Sequence, residues 1–251
     1  HINTQQILEQ EFIDKLKKLQ HRGREAYGIT NFIKNTANIQ KYDGIIKNNN
    51  HQSNYTNKSN LFLGHTRYST SGSKKDSNLI QPILLNTRRI FYTKQDISDN
   101  KIVVKDTPIV FAFNGNIRTS IWSNLLKTYP IFTESENQSY NDTYKIKLIL
   151  EYLLELGHTF DVIGNIILEH LPTSFCLIIS TTDTTWVIRD SLGNRPLSIY
   201  TEMSQNDPNQ ISKVVSSLIV SSETNVIDDI NSIDDGTDNG TDNGTDNGTD
   251  N

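Results

Sequence analysis

The apolar residues of this chain fall into short runs, each about the length of a β-strand and separated from the next by polar or glycine-containing turns. The segments LFLGHTRYS (61–69), TPIVFAFNGNI (107–117) and SFCLIIS (174–180) are typical. A membrane-spanning helix needs about 20 consecutive apolar residues, so none is predicted. Because several of these strands follow one another through short turns, the pattern favours antiparallel sheets over a doubly wound parallel sheet.

Helical spacing of apolar residues is found in three segments, which are residues 4–20, 142–156 and 159–170. We expect Thr4 to cap the first of these helices and Asp142 the second, and Gly157 to end the second. Gly23 and Gly28 are expected to flank a short loop. Helices that cover antiparallel sheets indicate an α+β fold.

Composition narrows the class of protein further. The 251 residues are 35% hydrophobic, which is enough for one packed domain, and the formal net charge of −5 argues against a general nucleic-acid binder. The single cysteine, Cys176, excludes a disulfide framework and any cysteine-cluster metal site. We therefore expect a cytoplasmic globular protein with no metal in this part of the chain.

The end of the chain differs abruptly in composition. From Asn225 onward Asp, Asn, Gly and Thr dominate, and residues 236–251 are four tandem copies of GTDN. Such a segment cannot bury a core, so we expect a folded domain over residues 1–230 and a disordered tail over 231–251. The Asp-rich repeats lack the spacing of a known calcium loop, so no calcium site is predicted.

Six short segments contain more Gly, Arg, His and Asn than core strands need. They are LQHRGREAYGI (19–29), GHTRYSTSGS (64–73), AFNGNI (112–117), NDTYKI (141–146), RDSLGNRPLSIY (189–200) and VSSET (220–224). In this order they resemble the glutaminase domain of amidophosphoribosyltransferase, a class II glutamine amidotransferase of the N-terminal nucleophile hydrolase family. The resemblance covers roughly residues 5–228, and it implies a four-layer αββα fold in which two antiparallel sheets lie between helices.

The resemblance also implies an activity. In this family an N-terminal cysteine thiol attacks the side-chain amide of glutamine, and the thioester then hydrolyses to glutamate. The released ammonia travels to a phosphoribosyltransferase domain and displaces pyrophosphate from phosphoribosyl pyrophosphate, which gives phosphoribosylamine for purine synthesis. Glutamine, a phosphoribosyltransferase domain or subunit and a homo-oligomer are the implied partners. No cofactor is implied for the glutaminase domain, and Mg²⁺ is expected only with the phosphoribosyltransferase domain.

The matching motifs assign two residues to the reaction itself. Asn114 and Gly115 would form the oxyanion hole, because an amide side chain and a backbone N–H at the end of a strand can face one point. The alternative interpretation of Asn-Gly is a type I′ hairpin turn.

The remaining assignments concern substrate binding. Arg67 would hold the α-carboxylate of glutamine with its guanidinium fork, unless it makes an ordinary surface ion pair. Asp142 would accept the substrate ammonium, and it can cap a helix at the same time. Tyr68 and Thr70 would complete the pocket, and Arg22 would lie over it as a gate. We expect Arg67, Asn114, Gly115 and Asp142 to converge on one cleft, whereas His21 is expected to be a structural hydrogen-bonding residue.

This sequence departs from the family pattern at three places. Phe113 replaces a histidine and Tyr144 replaces a glutamate. The opening Cys-Gly-Ile strand is absent, because the nineteen residues before Gln20 are taken up by the predicted helix. This favours a longer reading frame over a true pseudoenzyme. Cys176 cannot substitute, because it lies inside an apolar strand and has no free α-amino group.

As written, the chain is therefore expected not to hydrolyse glutamine. Two alternatives stay open: an inactive module that binds glutamine or a partner, and the glutaminase domain of another class II amidotransferase.

Overall fold

The computed structural model describes residues 7–47, 58–68, 80–95, 100–131, 141–204 and 214–226. Its helices are α1 (Glu9–Lys18), α2 (Thr119–Thr128), α3 (Asp142–Glu155) and α4 (Phe160–His170). Its strands are β1 (Ile7–Leu8), β2 (Ala26–Ile33), β3 (Thr36–Asp43), β4 (Lys58–Ser59), β5 (Phe62–Arg67), β6 (Ile83–Leu84), β7 (Arg89–Gln95), β8 (Asn100–Asp106), β9 (Val110–Gly115), β10 (Phe175–Ser180), β11 (Thr185–Arg189), β12 (Ser198–Ser204) and β13 (Val214–Ser221).

Two sheets form the centre of the molecule. One has the strand order β3-β2-β5 and the other has the order β11-β10-β9-β6. The pairs β1–β4, β7–β8 and β12–β13 form two-stranded ribbons, and every strand pair in the described part of the chain is antiparallel. The predicted antiparallel α+β architecture is confirmed.

The alternation of side chains along each strand arranges these sheets in layers. On β5, Phe62 packs with α1, whereas Leu63 packs with Ala112 of β9 in the second sheet. On β9, Phe111 and Phe113 face the opposite way and join the large cluster formed with α2, α3 and α4. The order is therefore α1, the first sheet, the second sheet and the remaining helices, which confirms the predicted four layers.

The helices α3 and α4 begin and end close to the predicted positions, but the cap of α3 is different. Asn141, not Asp142, caps α3, because its side-chain oxygen accepts a hydrogen bond of 2.7 Å from the backbone N–H of Tyr144. Asp142 is the first helical residue, so the predicted cap was one residue too late. Gly157 follows α3 with a φ of +82°, as expected for a glycine that ends a helix. The cap predicted at Thr4 is wrong, because Ile7–Leu8 form the strand β1 and α1 begins only at Glu9, with Leu8 as its N-cap residue.

The expectation that Gly28 borders a loop is wrong. Gly28 lies inside β2, and a Cβ atom there would lie 2.3 Å from the carbonyl oxygen of Gln81. The glycine is needed because the segment that precedes β6 lies directly against β2, and not because the chain turns. No helix in the described segments is both long enough and apolar enough to cross a bilayer. The predicted tail, residues 231–251, lies outside the described residues.

Candidate active site

Two of the predicted site residues face the layer between the two main sheets. Arg67, the last residue of β5, lies on the same face of that strand as Leu63. Asn114 lies on the same face of β9 as Ala112, which packs against Leu63. Arg67 is only 8% exposed, so it is not the ordinary surface arginine of the alternative interpretation. The sheet geometry therefore directs the Arg67 guanidinium and the Asn114 amide toward the same layer.

The turn formed by Gln20–Arg22 fixes the backbone at Arg67. A Cβ atom on Gly23 would lie 2.6 Å from a backbone atom of Thr66 and 2.7 Å from backbone atoms of Arg67, so only glycine fits there. The N–H of Glu25 then donates a 3.2 Å hydrogen bond to the carbonyl of Arg67. The LQHRG segment thus packs directly on the end of β5.

Asn114 and Gly115 are the last two residues of β9 and do not form the predicted turn. They pair with Cys176 and Phe175 of β10, and the chain continues into α2 rather than into a hairpin. A Cβ atom at Gly115 would lie 2.4 Å from a ring atom of Phe113 and 2.7 Å from the Cβ of Phe175. Glycine is present here because two aromatic side chains close over its α-carbon.

The backbone N–H of Gly115 is directed away from β10. Phe175 donates its N–H to the carboxylate of Asp190 and accepts a hydrogen bond at its carbonyl from the Asp190 N–H, both at 3.1 Å. Because both backbone groups of Phe175 point toward β11, its partner Gly115 points its own N–H toward the opposite edge. On that edge, the N–H and carbonyl of Phe113 bond to the side chain of Gln81 at 2.6 and 3.0 Å. The N–H of Gly115 is thus outside the β9–β10 ladder, as an oxyanion donor must be.

Gln81 also connects this edge to the start of α3. Its amide donates a 3.1 Å hydrogen bond to the Thr143 hydroxyl, one residue after Asp142. The ammonium of Lys145 donates to the Asp142 carboxylate at 3.1 Å and to the carbonyl of Ile117 at 3.0 Å. Asp142 is therefore held beside the chain that leaves Gly115, and its carboxylate already has a cationic partner.

Arg22 is anchored to the segment that follows β13. Its guanidinium lies 3.3 Å from the Glu223 carboxylate and donates to the carbonyl of Ser222, also at 3.3 Å. The other oxygen of Glu223 lies 3.0 Å from Nε2 of His21, and Nδ1 of His21 lies 2.9 Å from the Lys18 carbonyl. Both ring nitrogens of His21 are thus engaged in holding the turn, which agrees with the structural role expected for it.

His65 lies close enough to Arg67 and Arg22 to be affected by their positive charges. It is two residues before Arg67 on the same face of β5. Burial lowers the pKa of its imidazole to about 4, and the positive charges of Arg67 and Arg22 act in the same direction. The ring is therefore neutral near pH 7, and its Nδ1 atom is buried without a hydrogen-bond partner among the described residues.

Cys176 is a core residue and not a nucleophile. It is 7% exposed, and burial raises the pKa of its thiol, although nearby Arg189 partly opposes this shift. Its Sγ atom lies 3.8 Å from the carbonyl oxygens of both Arg195 and Pro196. A buried thiol of raised pKa reacts slowly.

The RDSLGNRPLSIY segment folds into a turn around Asp190. One oxygen of this buried carboxylate accepts hydrogen bonds from the N–H groups of Leu192 and Gly193, at 3.1 and 2.9 Å. Arg195 then donates to the carbonyl of Ser174 at 3.2 Å. This motif therefore packs against the start of β10, and no role in substrate binding was predicted for it.

Tyr68 and Thr70 are the remaining predicted site residues. Tyr68 directly follows β5 and is 69% exposed, and Thr70 lies outside the described residues. Sequence reasoning missed Gln81, Lys145 and Glu223. Lys145 and Glu223 lie within the motif segments 141–146 and 220–224, whereas the only signal for Gln81 is a polar residue within an otherwise apolar stretch.

Comparison with known proteins supports the resemblance stated above. Human amidophosphoribosyltransferase is 29% identical over 222 residues, which covers 82% of this chain and 38% of the human protein. The amidophosphoribosyltransferase of Synechocystis is 29% identical over 192 residues, covering 73% of this chain and 33% of that protein. No protein-family model matches the sequence.

A solved structure agrees with these relatives. The glutamine phosphoribosylpyrophosphate amidotransferase of B. subtilis, in complex with ADP and GMP, superposes with a TM-score of 0.57 at 25% identity. The alignment covers 87% of this chain and 40% of that one. The chain thus spans about two fifths of the length of the proteins it matches. The predicted resemblance to amidophosphoribosyltransferase is confirmed.

Proposed function

We propose that this chain is the glutaminase domain of an amidophosphoribosyltransferase, a class II glutamine amidotransferase that binds glutamine and releases its amide nitrogen as ammonia. The observation that carries the proposal is the end of β9. There an amide side chain faces the layer that contains Arg67, and the adjacent backbone N–H is outside the β9–β10 ladder. Together these groups supply the two donors of an oxyanion hole beside a cation suited to a carboxylate.

In this proposal the guanidinium of Arg67 binds the α-carboxylate of glutamine through two parallel hydrogen bonds. The amide carbonyl of the substrate then lies against the Asn114 side chain and the Gly115 N–H. As a thiol attacks the amide carbon, negative charge develops on the carbonyl oxygen, and these two donors stabilise it. Each such donor typically lowers the barrier by about 3–4 kcal/mol. Asp142 would accept the substrate ammonium, and Tyr68, Thr70 and Arg22 would complete and cover the pocket.

Cys176 is not proposed as the attacking thiol, because that residue is buried in β10 and its thiol pKa is raised. The ammonia would be consumed by a phosphoribosyltransferase domain, which converts phosphoribosyl pyrophosphate to phosphoribosylamine in purine synthesis. Any Mg²⁺ would belong to that domain. The proposed location is the cytoplasm.

Binding of glutamine tests the proposal without requiring the nucleophile. The ligand would be titrated into the chain and into Arg67→Ala by calorimetry, with Arg89→Ala as the matched control because Arg89 is exposed on β7. Removing one partner of a buried charge pair costs about 2 kcal/mol or more, so we expect the Arg67 variant to bind about 30-fold more weakly. The control should bind as the unmodified chain does.

Equal binding by both variants would contradict the assignment of Arg67. The absence of measurable glutamine binding to the unmodified chain would contradict the proposed function as a whole.

A further inference from the structure

Two side chains of the RDSLGNRPLSIY segment hold a single peptide group at the start of β10. Asp190 accepts a 3.1 Å hydrogen bond from the N–H of Phe175 with one of its carboxylate oxygens. Arg195 donates a 3.2 Å hydrogen bond to the carbonyl of Ser174, which is the other end of the same peptide group. This segment therefore sets the orientation of the Ser174–Phe175 peptide.

Asp190 is itself fixed in place. It is 8% exposed, and its other carboxylate oxygen accepts hydrogen bonds from the N–H groups of Leu192 and Gly193, at 3.1 and 2.9 Å. Its backbone N–H donates a 3.1 Å hydrogen bond to the carbonyl of Phe175. Burial of a carboxylate is costly unless it is hydrogen-bonded, and the three backbone donors meet that need. The Asp190 carboxylate therefore acts on the backbone around it.

The orientation of Phe175 decides where the N–H of Gly115 points. Phe175 on β10 lies directly opposite Gly115 on β9. Because Asp190 binds both backbone groups of Phe175, the two residues form a non-hydrogen-bonded pair of the ladder, and the N–H of Gly115 is directed to the other edge of β9. The contact is also close, since a Cβ atom at Gly115 would lie 2.7 Å from the Cβ of Phe175. A rotation of the Phe175 backbone would therefore displace Gly115.

We propose that Asp190 and Arg195 are positioning residues of the oxyanion hole. By fixing the Ser174–Phe175 peptide, they keep the N–H of Gly115 outside the β9–β10 ladder, where it can donate to the carboxamide oxygen of the ligand. Such preorganisation matters because a donor that must first reorient stabilises the developing charge less well. This inference rests on the proposed function, because it assumes that the carboxamide of the ligand lies against the end of β9.

The test compares two ligands that share the α-carboxylate and the α-ammonium, L-glutamine and L-norvaline. Norvaline carries a methyl group in place of the carboxamide, so the ratio of the two dissociation constants reports the carboxamide contacts. Both constants would be measured by calorimetry with the unmodified chain, with Asp190→Asn and with Arg195→Met. Asp161→Asn is the matched control, because Asp161 is exposed on α4. A general effect on folding or charge would weaken both ligands and leave the ratio unchanged.

Each substitution releases one end of the peptide with little change in side-chain size. In Asp190→Asn the amide oxygen can still accept from the turn, but the NH₂ group then faces the N–H of Phe175, and two donors oppose each other. Methionine keeps the apolar stem of Arg195 and removes the donor to Ser174. We expect either variant to reduce the preference for glutamine about fivefold, the effect of losing one neutral hydrogen bond. Asp161→Asn should leave the ratio unchanged.

A second measurement follows the Gly115 amide itself. In proton–nitrogen correlation spectra of the unmodified chain, glutamine should shift the Gly115 signal and norvaline should not. In Asp190→Asn and Arg195→Met the shift caused by glutamine should be smaller. The same spectra show whether each variant is folded, and if one of them is not, the other decides.

A ratio that neither variant moves, or an equal weakening of both ligands, would overturn this inference while leaving the proposed function intact. If the unmodified chain binds glutamine no more tightly than norvaline, the proposed oxyanion hole makes no contact with the carboxamide and the inference fails. If it binds neither ligand, the proposed function fails and the inference fails with it.

Discussion

Substituting leucine for Gln81 is expected to destabilise the edge of the second sheet, because the Gln81 side chain makes the backbone hydrogen bonds that a neighbouring strand would otherwise make. Gln81 is 6% exposed and bonds to both backbone groups of Phe113 and to the Thr143 hydroxyl. Leucine has a similar volume, so the cavity is small and the loss is mainly in hydrogen bonding. It leaves the N–H and the carbonyl of Phe113 unsatisfied in a residue that is 3% exposed.

Each buried unsatisfied group costs about 1–3 kcal/mol, so we expect the free energy of unfolding to fall by about 2–6 kcal/mol. Urea denaturation followed by circular dichroism measures this change, provided that the m-value stays constant. The matched control is Gln10→Leu, because the Gln10 side chain makes an exposed hydrogen bond to Asp14. Its effect should stay within about 0.5 kcal/mol.

The variant Gln81→Glu distinguishes the contributions of the two hydrogen bonds that the Gln81 side chain makes to Phe113. The glutamate keeps an oxygen to accept from the Phe113 N–H, but it donates to the Phe113 carbonyl only when it is protonated. We therefore expect this variant to regain stability as the pH falls toward 5, whereas Gln81→Leu does not. A loss of less than about 1 kcal/mol for Gln81→Leu would refute the view that Gln81 holds this edge, since two unsatisfied groups must cost more than that.

Two further predictions concern the first sheet. Gly23→Ala should lower the free energy of unfolding by about 1–3 kcal/mol or more, because the added methyl group meets the backbone of Arg67. The control is Gly164→Ala in α4, where the added methyl group has no contact closer than 3.5 Å and the effect should be neutral or stabilising. Urea denaturation compares the two variants, and an equal effect of both would contradict the close approach at Gly23. His65 has a folded-state pKa of about 4, below its ordinary value of 6.5. At a pH between these two pKa values the unfolded state binds more protons than the folded state, so the stability of the fold decreases as the pH falls through this range. Between about pH 7.5 and pH 5 we expect the unmodified chain to lose about 2 kcal/mol more than His65→Gln, and parallel pH profiles of the two proteins would show that His65 titrates normally.

The layers of the fold were predictable from the sequence because local patterns determine them. The apolar run around Leu177 and the spacing of Leu150 and Leu153 specify a strand and a helix without reference to the rest of the chain. The hairpin of β7 and β8 and the helix α2 were missed. Their apolar residues are interrupted by lysine, asparagine and threonine, so the packing of residues such as Ile90 and Trp122 in the core, and not periodicity, identifies them.

The positions of the glycines show a second limit of sequence reasoning. Gly28 and Gly115 were expected at a loop border and in a turn, since turns are the commonest reason for glycine. Both lie in strands, where a carbonyl of Gln81, and at Gly115 the ring of Phe113 and the Cβ atom of Phe175, leave no room for a Cβ atom. The approach of Gln81 to Gly28 and of Phe175 to Gly115 brings together segments far apart in the sequence, so no local pattern reports it.

The candidate site combines both kinds of information, and this explains which of its residues the sequence could propose. Arg67 and Asn114 lie at strand ends, where motif position alone indicates the chemistry. The ion-pair partner of Asp142 could not be recognised in this way. Lys145 lies one turn further along the same helix, and the sequence does not distinguish this pair from an i,i+3 pair that faces solvent. Only the burial of Lys145 and its second bond to the Ile117 carbonyl make it a fixed charge. The motif therefore identifies Asp142, whereas its ion-pair partner is identified only by the packing of the folded chain.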